Sequence, residues 1–151
     1  MPRGGVPIPL SELALLGGGA LLAVSGIGRT AAAAAAHALI EAGVSALMSF
    51  GVAGALDPAL EPGSVILPRE VLSNEMLSSG SRRYTADAAW RERVVAEIRT
   101  LQTLSEGNLL TCGRAIDTLK NKAAAFHDTG AVAVDMESAA VAEVAAGYKL
   151  P

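Results

Sequence analysis

The chain has 151 residues, a formal net charge of −3, an apolar fraction of 51% and an aromatic fraction of 3%. That length supports one domain around one core, and without a basic cluster there is no electrostatic footprint for a nucleic-acid partner. A single cysteine, Cys112, excludes an internal disulfide framework and agrees with a reducing, cytoplasmic compartment.

Met1 to Pro9 carries three prolines and two glycines and reads as a loosely ordered tail, continued by the turn Gly17-Gly18-Gly19. Residues 1–19 are therefore set apart from a single domain over 20–151. The uncharged stretch from Leu13 to Gly28 is broken by those glycines and does not read as a membrane span. Ala20 to Ser25 reads as a buried strand, and Gly26-Ile27-Gly28-Arg29 as the turn after it. Thr30 to Ala42 is an alanine-rich helix suited to close packing, stopped by Gly43. Val44 to Phe50 is the next strand and completes a βαβ unit, followed by the small-residue loop Gly51 to Ala55.

Asp57-Pro58 and Glu61-Pro62-Gly63 mark turns, Ser64 to Leu72 reads as a strand, and Ser73 to Tyr84 as a polar flap. Trp90, Val94, Ile98 and Leu101 recur at helical spacing, so Ala86 to Leu104 is an amphipathic helix with Trp90 in its core stripe. Asn108 to Cys112 is a short strand, Asp117 to His127 a helix, Ala131 to Val134 a strand and Ser138 to Ala146 a helix. His37 and His127 are far apart in sequence and read as surface or packing residues, so no metal site is expected. No amphipathic basic helix is present to hold the chain on a membrane.

The stretch with most chemistry is Asp135-Met136-Glu137, where an apolar β-branched run meets an alanine-rich helix. That pattern puts it at the carboxyl end of a parallel strand, the edge at which ligands bind in open α/β sheets. Two carboxylates flanking a thioether offer hydroxyl acceptors beside a soft apolar wall, which suits a sugar ring. Helix-start chemistry competes with this reading, since Asp135 can cap the helix and Glu137 is favoured by its dipole. Gly26-x-Gly28 is no dinucleotide fingerprint, because it lacks a third glycine and no acidic residue closes the following strand. A helix N-terminus beside Arg29 is nevertheless a place to receive an anion, which makes Gly28 and Arg29 candidate phosphate-binding residues.

In this order the segments Ser25-Gly26-Ile27-Gly28-Arg29, Gly51-Val52-Ala53-Gly54-Ala55-Leu56, Pro62-Gly63-Ser64-Val65 and Val134-Asp135-Met136-Glu137-Ser138-Ala139-Ala140 resemble the nucleoside phosphorylase superfamily that includes methylthioadenosine/S-adenosylhomocysteine nucleosidase. Phe50 to Pro68 and Asp135 to Val144 look most like the hopanoid-associated phosphorylases, which remove adenine from adenosylhopane. The resemblance implies an α/β three-layer sandwich with a mixed, mostly parallel central sheet flanked by helices. It implies N-glycosidic cleavage of a purine nucleoside or adenosylhopane-like substrate, with a dimer favoured, no cofactor, and phosphate or water as second substrate. Glu137 would accept hydrogen bonds from the ribose hydroxyls and Met136 would pack on the sugar, with Asp135 lining the pocket where relatives have glutamate. Ala53 and Gly54 would face the base or ribose, Ile27 would wall the sugar side, and Ala115 and Ile116 would border the purine. Relatives that bind phosphate often have serine where Val52 sits.

The resemblance implies an acid, an aspartate following the strand after the last helix and so beyond Pro151, and the family's water-activating glutamate has no counterpart but Glu12, in a different setting. The expectation is a truncated chain, incomplete at both ends and inactive as written, from an active parent enzyme. The alternative is a non-catalytic nucleoside-binding or subunit-pairing fragment.

Overall fold

A computed structural model describes residues 13–74, 82–98 and 104–151. Its centre is a mixed five-stranded sheet built from β3 (Gly54–Ala55), β5 (Glu70–Asn74), β6 (Arg82–Thr85), β8 (Asn108–Cys112) and β9 (Ala131–Asp135), in the order β3-β9-β8-β5-β6. The three inner strands β9, β8 and β5 run parallel, and the edge strands β3 and β6 are antiparallel to their neighbours. Two short outlying pairs complete the strands among the described residues: β1 (Ala14–Leu15) with β2 (Leu21–Leu22), antiparallel, and β4 (Val65–Ile66) with β7 (Leu104–Ser105), parallel. Four helices flank them, α1 (Arg29–Glu41), α2 (Ala88–Ile98), α3 (Leu119–Thr129) and α4 (Ser138–Tyr148).

Alternation along β8 sorts the helices onto two faces. Leu110 and Cys112 belong to a core cluster with Leu56, Leu72, Ala131 and Val134, against which Phe126 and Ala125 of α3 pack. Thr111, pointing the other way, hydrogen-bonds the first turn of α4. Behind α4 lies α1, and the second cluster joins Ala36, Leu47, Val144 and Ala145. The alanines explain this stacking, because Ala32, Ala35, Ala36 and Ala38 are all buried and small enough to let the two helix backbones approach. His37 is an exposed residue of α1, edge-on to the exposed Tyr148 of α4 at 5.7 Å between ring centroids.

The pairing of β8 with β9 is interrupted by a bulge. Asn108 stands opposite Ala131 and Leu109 opposite Ala133, so Val132 is passed over. Its carbonyl instead accepts from the backbone N–H groups of Leu56 and Asp57, at 2.9 and 3.0 Å. The extra residue moves every later position of β9 by one, and Thr111 thereby faces Asp135 rather than Val134.

Several sequence expectations need correction. Ala20 to Ser25 is not a buried strand: only Leu21–Leu22 pairs, in a hairpin with Ala14–Leu15 around the glycine turn, and Val24 is exposed. Val44 to Phe50 forms no strand among the described residues, so the expected βαβ unit is absent; Leu47 alone is buried, its N–H donating to the Pro151 carbonyl at 2.9 Å. The strand over 64–72 is split, because Leu67-Pro68 cannot continue a ladder at the proline. Of the flap expected over Ser73 to Tyr84, Ser73 and Asn74 belong to β5 and Arg82 to Tyr84 belong to β6, paired antiparallel, and residues 75–81 lie outside the described set. Trp90 is half-buried and α2 has no fully buried residue, so α2 is a surface helix. Its expected end at Leu104 fails too, because that residue starts β7, and Leu101 lies outside the described residues. The tail Met1 to Pro9 and Glu12 also lie outside them.

Candidate active site

Asp135, Met136 and Glu137 stand where β9 gives way to α4, half-buried, at the carboxyl end of a parallel strand. The Glu137 carboxylate is held by two backbone donors. Gly28 N–H, from 109 residues away, donates to Oε1 at 2.5 Å, and Met136 N–H donates to Oε2 at 3.1 Å. Gly28 is the N-cap of α1 and has φ 93°, a left-handed conformation that glycine adopts at little cost. The glycine turn thus delivers the positive end of α1 to the carboxylate of Glu137. A carboxylate has about four acceptor positions, so two remain for hydroxyl donors.

Asp135 is occupied differently. Its Oδ1 accepts from Thr111 Oγ1 at 2.6 Å and its Oδ2 from Ser138 N–H at 2.9 Å. Thr111 Oγ1 in turn accepts from Ala139 N–H at 3.0 Å, so two of the N–H groups that the start of α4 leaves unbonded are satisfied from β8 and β9. Ser138 Oγ donates to Ser49 Oγ at 2.9 Å and ties in the segment before Gly51. Ser73, Thr111 and Asp135 stand abreast on β5, β8 and β9, forming a polar row across three strand ends beneath the starts of α1 and α4.

Arg29 reaches this row from above. Its guanidinium donates to Ser73 Oγ at 3.3 Å and to Glu143 Oε2 at 2.8 Å, while Arg82 holds the other oxygen of Glu143 at 2.5 Å. The other candidates divide. Gly54 pairs with Val134 across the β3–β9 ladder, which brings the small-residue loop to the strand that ends in Asp135. Val52 and Ile27 are 97% and 84% exposed, and Ala53 and Ala115 are also exposed. Ile116 packs against the core cluster of Leu72 and Leu110.

Cys112 adjoins the row. Burial pushes its thiol upward from the usual range, the Asp135 carboxylate adds to this, and Arg114 partly opposes it. No group of three or more His, Cys, Asp or Glu that could hold a metal ion occurs among the described residues. Among the same residues, no helix is long and apolar enough to cross a membrane. A separate shallow cleft of about 290 Å³ is lined by Arg91, Glu92, Val95 and Ala96 of α2 together with Glu106. It is walled by ion-paired side chains and has no glycine loop, so the strand ends are the better site.

Sequence reading missed Thr111, Ser49, Ser73 and Glu143. Thr111 did carry a signal, since a hydroxyl inside the apolar run Leu109-Leu110-Thr111-Cys112 needs a partner once buried.

A mixed sheet with carboxylates, glycine turns and two helix N-termini at one strand edge is the architecture of an α/β protein with a candidate site at its strand ends. The chain belongs to the phosphorylase superfamily, whose family model matches residues 11–151. No curated protein matches it. Among solved structures, 5′-methylthioadenosine/S-adenosyl homocysteine nucleosidase of Campylobacter jejuni is 25% identical, with 87% of this chain and 63% of that one covered at TM-score 0.79. The corresponding Neisseria meningitidis enzyme, in complex with methylthio-immucillin-A, is 24% identical with the same coverage and TM-score 0.75. A futalosine hydrolase mutant of Helicobacter pylori is 21% identical, covering 93% of this chain and 74% of that one at TM-score 0.77. The chain spans 63% of the length of either nucleosidase.

Proposed function

We propose that the protein cleaves the N-glycosidic bond of a purine nucleoside and releases the base, with an adenosylhopane-like nucleoside as the finer candidate. The observation that carries the reading is Glu137, a carboxylate fixed by Gly28 and Met136 backbone N–H groups at a strand end, with acceptor capacity left for neighbouring sugar hydroxyls. Similarity to nucleosidases and to a futalosine hydrolase supports the reaction class. In such a cleavage the C1′–N bond breaks and positive charge develops on the sugar, which a nearby carboxylate stabilises. The purine leaves more readily as it takes up a proton, and water or phosphate completes the sugar. Met136 and Gly54 would line the sugar and base, a homodimer would be the working assembly, and the cytoplasm its compartment.

The 151-residue chain is tested by calorimetry with adenosine and adenine, with and without phosphate, beside an assay for adenine release. The expected result is adenosine binding that weakens about tenfold in Glu137→Gln, the loss of a charge-assisted bond, with adenine affinity unchanged. Absence of binding to both ligands overturns the reading. A second reading, a subunit-pairing or nucleoside-holding chain without turnover, draws support from the exposed apolar side chains Val24, Phe50 and Val52. Binding without release of adenine favours it.

A further inference from the structure

We propose that Thr111 and Asp135 act as a positioning couple for Glu137. Both carboxylate oxygens of Asp135 already have partners, Thr111 Oγ1 at 2.6 Å and Ser138 N–H at 2.9 Å. Those bonds point into the protein, because Thr111 is 2% exposed and Ser138 8%. Breaking either bond would leave a buried hydroxyl or a helix N–H without its acceptor, so the couple holds its geometry.

The couple instead fixes a geometry. Thr111 and Asp135 accept from Ala139 and Ser138 N–H, so the start of α4 is pinned to β8 and β9 together. Met136 and Glu137 lie between the pinned strand end and the pinned helix start. Glu137 has a non-helical backbone, φ −126° and ψ −41°, and its side chain returns toward Met136 N–H and reaches Gly28 N–H. Loosening either end lets this two-residue link rotate and carries the carboxylate off the α1 start. The bulge at Val132 is what makes the couple possible, because an unbroken register would set Val134 beside Thr111.

The test uses Thr111→Val, Thr111→Ser and Asp135→Asn in the 151-residue chain. Amide hydrogen exchange at Gly28 reports the Glu137 contact without any ligand, and exchange at Leu110 reports global opening. Positioning predicts that Thr111→Val and Asp135→Asn each speed Gly28 exchange about tenfold beyond any change at Leu110, with Thr111→Ser close to the parent chain. Unchanged Gly28 exchange in Thr111→Val, or a parallel rise at Gly28 and Leu110 in every variant, overturns it. The affinity arm rests on the nucleoside reading above: adenosine binding should fall about tenfold in Thr111→Val while adenine binding holds. Weakened adenosine binding in Asp135→Asn with Thr111→Val silent would make Asp135 a direct sugar ligand and also overturn the proposal. A parent chain that binds neither probe strikes the nucleoside reading alone, and the exchange measurement still decides the positioning role.

Discussion

Val44 to Phe50 and Ala131 to Asp135 are similar as text, each an apolar run after a glycine and before a small or polar loop, yet only the second is a strand. Ala131 and Ala133 are fully buried and Val134 is 7% exposed, whereas Met48 is 47% and Phe50 93% exposed. The difference lies in neighbours. β9 has β3 on one side, β8 on the other and α3 packed against it; 44–50 has no ladder among the described residues, and its backbone bonds run only from Val44 N–H back to Leu39 and from Leu47 N–H to Pro151. A strand is made by pairing, and propensity supplies only a surface that fits a sheet when one is there.

Leu110→Ala is the sharpest test of the paired region. Leu110 is 2% exposed in the middle strand, and removing its side chain should cost roughly 2–5 kcal/mol, measured by urea denaturation. Against a total of about 5–15 kcal/mol for an ordinary domain, that can unfold the chain at 25 °C. Gly107→Ala should be next. Gly107 has φ 154°, and a Cβ there would come within 2.5 Å of Val132 Cγ1, on the bulge itself. Valine is stiff about χ1 and gives way poorly, so about 1–3 kcal/mol is expected from the same measurement, with disturbance of the Thr111–Asp135 bond. A cost near zero would mean that the bulge is soft and does not set the register.

The comparison also explains what the sequence made legible. Helices α1 and α4 and strands β8 and β9 are visible because their signals are local, alanine content and short apolar runs, while α3 starts two residues after the expected Asp117, where Thr118 caps it by accepting from Asn121 N–H. Placement of Asp135 to Glu137 at a strand end followed from the same local pattern. The partners of these residues were not legible, because Gly28 meets Glu137 across 109 residues and Arg29 meets Glu143 across 114. Thr111 opposes Asp135 only through a one-residue bulge, which no periodicity announces. Asp135 therefore does what helix-start chemistry suggested, while Glu137 is turned toward the glycine loop.

Cys112 measures the paired region from within. Its thiol is held above the usual range by burial and by Asp135, so the unfolded chain releases that proton first as pH rises. Stability from this group is complete below the unfolded thiol value, about 8.5, and is lost as pH climbs through the folded value. Denaturation midpoints of the parent chain should fall more than those of Cys112→Ala between pH 8 and pH 10 or so. Equal slopes in the two chains would show that the thiol ionises as freely folded as unfolded. Iodoacetamide should label the native thiol far more slowly than the denatured one, since the thiolate is the nucleophile.

Phe50→Ala should have the smallest effect, and its smallness carries the comparison. A side chain 93% exposed has almost no buried area to lose, so the change should lie within about 0.5 kcal/mol, at least fourfold below the expected cost at Leu110. The same substitution removes a large apolar ring from a surface that also shows Val24, Met48 and Val52, and so should reduce self-association at high concentration, read by sedimentation. A loss of more than about 2 kcal/mol would place Phe50 in a packed interior, a core-scale cost that an exposed side chain cannot produce. Segment 44–50 would then be a partnered strand in solution, and the contrast with β9 would vanish. If stability holds and association falls, the two runs differ only in whether neighbours cover them, and their residue types are interchangeable in kind.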